Sequence, residues 1–216
     1  MEEKKKDLID YLEENPDGIG RSEIDHIITD LVDHDAMEMQ FNETYDYLQW
    51  TKGLPGRQEQ FAKYLQDNYA KYQGKKVLDV GCGKIAKVAV INKDFFKMTA
   101  IDPKLETERL DKSVEYRKEF FTQETDISEY DFIYGLEPCD VTEDIIRSCL
   151  RDKKDFVIAL CKFPHLRSDG IMPNSFEEWY EYLRNIDPRL QFDQINIGGY
   201  APYIIKPLYN DKDKKD

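Results

Sequence analysis

The sequence predicts an α/β fold: a mostly parallel sheet ending in an antiparallel hairpin, preceded by an N-terminal helical extension. Three observations predict it. Short apolar runs alternate with helix-compatible stretches between residues 76 and 186, the pattern of parallel strands joined by right-handed crossovers. The first run, Lys76–Val80, opens directly into a loop carrying Gly81 and Gly83. The last two runs, 192–197 and 203–209, flank Gly198-Gly199, a hairpin signal.

Each element has its own warrant. Leu8, Ile9 and Leu12 share one face of a short helix that Asn15-Pro16-Asp17-Gly18 stops. Ile24, Ile27, Ile28, Leu31 and Val32 repeat at helical spacing. An aromatic-rich stretch, 41–50, is broken by Lys52-Gly53-Leu54-Pro55-Gly56, which sets the expected boundary between a helical cap, 1–56, and an α/β domain, 57–216. Phe61, Tyr64, Leu65 and Tyr69 place a further helix ahead of the first strand. Strands are expected at 76–80, 96–101, 115–121, 131–136 and 155–160, with helices at 84–92, 142–150 and 175–186. Ser175-Phe176-Glu177-Glu178 is a capping box that opens the last helix.

Composition bounds the function. With 216 residues the chain is long enough to bury a core without staples. It is 40% apolar and 35% charged, a soluble globular balance. Its net charge of −13 repels phosphate backbones, which argues against a nucleic-acid partner. No apolar run approaches the ~20 residues of a membrane helix. The opening Met-Glu-Glu-Lys-Lys-Lys-Asp lacks a signal peptide's apolar segment, so a cytoplasmic location is expected. Residues 1–72 hold 8 Lys/Arg against 17 Asp/Glu, so the winged-helix-like opening at 8–24 reads as a lid, a homodimer arm or a protein-binding cap rather than a DNA reader. His26, Asp30 and His34 stand at i, i+4 and i+8 and read as a solvated face. Cys82, Cys139, Cys149 and Cys161 form no C-x-x-C pair, and the three histidines add no zinc pattern, so reduced thiols and no metal are expected.

The most informative segment is Val77-Leu78-Asp79-Val80-Gly81-Cys82-Gly83-Lys84. An apolar strand ends, glycines at i and i+2 turn the backbone tightly, and a helix follows. Missing Cβ atoms allow a ligand to approach the main chain. About twenty residues later a second strand ends at Asp102, where a carboxylate can accept ribose hydroxyls.

These residues resemble the class I S-adenosylmethionine-dependent methyltransferases. The match is carried by Val77–Gly83, by Ala100-Ile101-Asp102, and by Asp131-Phe132-Ile133-Tyr134-Gly135-Leu136-Glu137-Pro138 at the fourth strand. It covers roughly residues 57–209. The resemblance implies a seven-stranded sheet with a reversed C-terminal hairpin and S-adenosylmethionine as cofactor. It implies that Asp79 orients the methionine end and that Gly81, Cys82 and Gly83 pass the ligand. Asp102 would hold the ribose, Asp126 (or Glu124) would meet the adenine, and Leu136, at the end of the fourth strand, would also bind the cofactor. The family's usual third glycine is Ile85 here.

Methyl transfer needs an aligned nucleophile about 3 Å away and sometimes a base. Glu137 or Asp140 could serve as that base, although Asp140-Val141-Thr142-Glu143 also reads as a capping box. Cys139 after Pro138, with Cys161 at the next strand end, is similar to cytosine-C5 methyltransferases; the rest of that pattern is missing. His165 is better placed for catalysis than the other histidines, and Tyr45, Tyr47 and Trp50 are core residues or the roof of a pocket. The expected function is methyl transfer to a small molecule or a protein side chain. The alternative is a non-catalytic Rossmann-like ligand- or partner-binding protein.

Overall fold

Seven strands form one sheet among the residues that the computed structural model describes, 55–106, 111–197 and 201–208. Residues 1–54 of the expected cap, with His26, Asp30, His34, Tyr45, Tyr47 and Trp50, lie outside the described residues. The strands are β1 (Lys76–Val80), β2 (Lys97–Ile101), β3 (Glu115–Arg117), β4 (Phe132–Leu136), β5 (Asp155–Ala159), β6 (Leu190–Gln194) and β7 (Tyr203–Pro207). Their order is β3-β2-β1-β4-β5-β7-β6. Strands β1 to β5 run parallel, while β7 pairs antiparallel with both β5 and β6. This is the methyltransferase-type sheet, reversed hairpin included, that the resemblance implies.

Four helices cover the two faces: α1 (Arg57–Asn68), α2 (Lys87–Asn92), α3 (Thr142–Arg151) and α4 (Phe176–Arg184). Alternation along β4 sorts them. Phe132 stacks between Tyr69 and Tyr72 at 4.5 and 4.9 Å, and Tyr134 meets Phe61 of α1 edge-on at 6.0 Å. Gln66 of α1 donates to Asn92 of α2 at 2.9 Å, which ties these two helices together. Ile133 points the other way, into a core with Leu78, Val80, Phe156 and Ile158, closed by Ile145 and Ile146 of α3 and Trp179 and Leu183 of α4. Covered on both faces, the central strands read as apolar runs, not alternations. One compact unit spans Gln58–Asp216.

The structure shifts several boundaries for physical reasons. The helix expected at 84–92 starts at Lys87, because Ala86 adopts a left-handed conformation, φ 46°, and prolongs the loop. The strand expected at 115–121 stops at Arg117; beyond it Phe121 enters the core while Phe120 stays exposed. Ser175 caps α4, its Oγ accepting the Glu178 N–H at 3.3 Å, but the Glu178 carboxylate takes the Asn174 N–H, one residue earlier than a capping box requires. No helix among the described residues is long and apolar enough to cross a membrane.

Candidate functional site

The chain reverses direction across the sheet between β1 and β4, with β2 and β3 on one side and β5 on the other. Ligands of open α/β sheets bind beyond the carboxyl ends of the strands at such a switch point. Gly81 and Gly83 leave β1 there, both left-handed at φ 70° and 69°. A Cβ on Gly81 would lie 2.9 Å from Pro138 Cα, so the loop after β4 closes directly on the turn after β1. A Cβ on Gly83 would meet nothing within 4 Å, so this side of the loop is open. Ile85, at the position of the missing third glycine, is 50% exposed and does not fill the gap.

Asp102 follows β2 and reaches back to the same loop. Its Oδ2 accepts the Gly83 N–H at 2.9 Å and its Oδ1 accepts the Lys104 N–H at 2.7 Å. A carboxylate offers about four lone-pair directions, so each oxygen can accept one more donor. The buried acid and the open glycine are thus one hydrogen-bonded unit at the edge of the sheet. Asp79 is different. Its carboxylate is buried, accepts from the Tyr134 hydroxyl at 3.1 Å and bonds the backbone of Ala89 in α2. Burial pushes it up to about 7, against the hydrogen bond from Tyr134. These bonds tie the end of β1 to Tyr134 of β4 and to α2, close enough to Asp102 for the two carboxylates to repel. Burial also raises the Cys82 thiol well above its usual range.

A second cluster stands at the ends of β4 and β5. Glu137 and Cys139, on either side of Pro138, are both left-handed at φ 50° and 51°. The turn brings Cys139 to Cys161 and His165; one Sγ from each cysteine and a ring nitrogen of His165 lie within 4.8 Å of one another. Cys161 Sγ is 2.7 Å from His165 Nε2, and His165 Nδ1 is 3.0 Å from Asp140 Oδ1. The hydrogen bond from Cys161, helped by His165, brings the Cys139 thiol down to about 6 despite its burial. Burial opposes charge on His165, but Asp140 and Cys139 outweigh it and raise the imidazole to about 9. The edge of the ring faces Trp179 at 6.1 Å.

One expectation is corrected. Asp140 is not a helix cap: it lies in a 3-10 turn, Cys139–Val141, Val141 takes the cap position of α3, and the carboxylate orients His165. Asp126, expected at the adenine, lies in the loop between β3 and β4. It is exposed and closes a local turn on the Ser128 N–H at 2.9 Å. The Gln123 carbonyl before it takes Ser148 near the end of α3, and the Ser128 carbonyl after it takes Lys154 ahead of β5. Glu124 shares that stretch, and the Gln123 side chain also bonds Asp144 in the first turn of α3. The switch point does gather Gly81, Cys82, Gly83, Asp102, Leu136, Glu137 and Cys139. The sequence pairs Cys139 with Cys161 and singles out His165, but does not join the three; the C-x-x-x-H spacing of Cys161 and His165 was the available signal. Sequence reasoning missed Phe120, 75% exposed just beyond β3.

No protein-family model matches the chain, and a search of curated proteins finds no match. Solved structures are similar at the level of fold. A protein from Corynebacterium glutamicum is 12% identical with a TM-score of 0.47, over 88% of this chain and 97% of that one. The 1,6-didemethyltoxoflavin-N1-methyltransferase of Burkholderia thailandensis, solved with S-adenosylhomocysteine, is 14% identical with a TM-score of 0.45, over 82% and 89%. The tRNA (uracil-54, C5)-methyltransferase of Pyrococcus abyssi is 12% identical with a TM-score of 0.42, over 68% and 37%.

Proposed function

We propose that the chain is an S-adenosylmethionine-dependent methyltransferase acting on a small molecule or a protein side chain. The observation that carries this reading is the Gly83–Asp102 unit: a buried carboxylate with spare acceptor capacity, hydrogen-bonded at 2.9 Å to an open glycine at the switch point. An adenosyl ligand fits this arrangement. Asp102 would accept its ribose hydroxyls, and Gly83 would let it pass close to the backbone. The exposed ring of Phe120, beyond the neighbouring β3, offers a face for the purine. When bound, the cofactor supplies an electrophilic methyl group. The protein's part is to align the acceptor and exclude water. Exposed Ile85, Phe120, Leu166, Ile171 and Met172 all lie in loops that leave the carboxyl ends of β1, β3 and β5, a rim that favours an acceptor with an apolar body. Glu137, two residues before Cys139 at the same edge, is the candidate base, since both nitrogens of His165 are engaged.

Pro138 lying against Gly81 favours the second reading, a non-catalytic ligand-binding module, because it narrows the loop from one side. Calorimetric titration separates the two. S-adenosylmethionine and S-adenosylhomocysteine are expected to bind the native chain, and Asp102→Asn to weaken both at least about tenfold, the loss of one or two charge-assisted hydrogen bonds. Binding of neither ligand to the native chain, or unchanged binding in the variant, sinks the methyltransferase reading.

A further inference from the structure

We propose that Cys139, Cys161 and His165 form a zinc(II) site with an exchangeable fourth position. Two thiol sulfurs and one imidazole nitrogen converge within 4.8 Å, and soft sulfur with imidazole is a donor set that selects zinc over the hard cations. A tetrahedral zinc, with bonds of about 2.3 Å to sulfur and about 2.0 Å to nitrogen, separates its ligand atoms by about 3.5 to 3.8 Å. That edge fits inside the cluster. The contact from Cys161 Sγ to His165 Nε2, at 2.7 Å, is shorter than this edge and would have to open on binding.

The surroundings supply what a zinc histidine needs. Asp140 Oδ1, 3.0 Å from Nδ1, accepts that N–H and leaves Nε2 as the metal-facing nitrogen, the carboxylate–histidine pairing that orients zinc ligands. The ligands also sit on rigid supports. Cys139 is fixed by the turn around Pro138 at the end of β4, and Cys161 and His165 follow β5, its parallel neighbour. Three protein ligands leave one coordination position for water or an incoming donor, the arrangement of reactive rather than purely structural zinc. Cys161 and His165 are buried and Cys139 is half-buried, so the cluster is reached from the Cys139 side. This inference stands apart from the adenosyl reading: it uses no residue of the Gly83–Asp102 unit.

Cobalt(II) tests it. The full chain, kept reduced and stripped of metal by a chelator, is titrated with cobalt(II) in the absence of oxygen. The expected result is one equivalent bound, with a sulfur-to-cobalt charge-transfer band and strong tetrahedral visible bands that zinc(II) abolishes. Cys139→Ser and Cys161→Ser should each lower the charge-transfer band, and Cys82→Ser should leave it intact. Asp140→Asn keeps all three ligands and should weaken binding about ten- to a hundredfold. A reduced native chain without the charge-transfer band overturns the site, whatever the variants do, and a Cys139–Cys161 disulfide with no cobalt bound after its reduction does the same. An added monothiol should shift the visible bands; a spectrum that does not move overturns the open fourth position.

Discussion

Gly81 and Gly83 share a left-handed backbone, yet a methyl group on each meets different surroundings. On Gly81 it strikes Pro138 at 2.9 Å, including a main-chain atom. Gly81→Ala should therefore cost about 2 to 4 kcal/mol, left-handed strain plus overpacking, visible as a lowered urea midpoint. On Gly83 the space is open, so Gly83→Ala should cost only about 1 kcal/mol of backbone strain. It should nevertheless lose S-adenosylhomocysteine, because its methyl group projects where the ligand would pass. A large loss of stability with binding retained would reverse the assignment. Asp79 gives a pH signature. Burial raises its pKa to about 7 in the folded chain, while an unfolded aspartate titrates near about 3.9. Between those values the folded state holds a proton that the unfolded state has released. Stability therefore falls as pH rises through this window and levels off above it, by at most about 4 kcal/mol. Urea unfolding of the native chain and Asp79→Asn at about pH 5 and about pH 8 checks the sign: the variant should lose this slope. Asp102 was legible in the sequence because a strand end announces it. The partnership of Asp140 was not, since the same four residues satisfy a capping pattern and only tertiary packing brings His165 to them.

At the scale of elements, Glu143 joins three parts of the fold. Its nearly buried carboxylate accepts from the Ser168 N–H at 2.9 Å and its Oγ at 2.7 Å, from the Tyr182 hydroxyl at 2.6 Å, and from Arg147 at 2.7 Å. This fastens the loop that follows β5 to α3 and α4. Arg167 adds to the joint by lying 4.0 Å over the Tyr182 ring. Glu143→Ala should cost about 1 to 2 kcal/mol, because it removes four hydrogen bonds whose donors are partly open to water, and should loosen the loop carrying His165. Urea unfolding measures the first effect and faster amide exchange in residues 161–174 the second; unchanged exchange would show that the loop is held elsewhere. The strands were legible as elements because apolar runs of strand length end at glycine or a charge. Their ends were less so. The left-handed turn at Ala86 and the early stop of β3 depend on neighbours far along the chain, which local patterning does not contain.

For the molecule as a whole, alternating strands and helices sufficed to predict a parallel sheet, and the glycine pair near the C-terminus its reversed end. The place of β7 between β5 and β6 came only from the resemblance, because spacing cannot say which strand lies next to which. All seven strands, α1 to α4 and both clusters fall within residues 57–207. A fragment spanning 55–216 should therefore unfold in one cooperative transition by circular dichroism. A broad, non-cooperative melt would show that the preceding residues are needed for the fold.

The insertion of β7 also orders events during synthesis. Of the seven strands it is the last along the chain, yet it lies inside the sheet. Until residues 203–207 have left the ribosome, β5 has no partner on one side and β6 has nowhere to attach. A premature stop or a proteolytic nick ahead of Tyr203 would thus do more than trim an edge. It would strand β6 and leave the unpaired amides and carbonyls of β5 open to the same strand of another molecule, a route to aggregation.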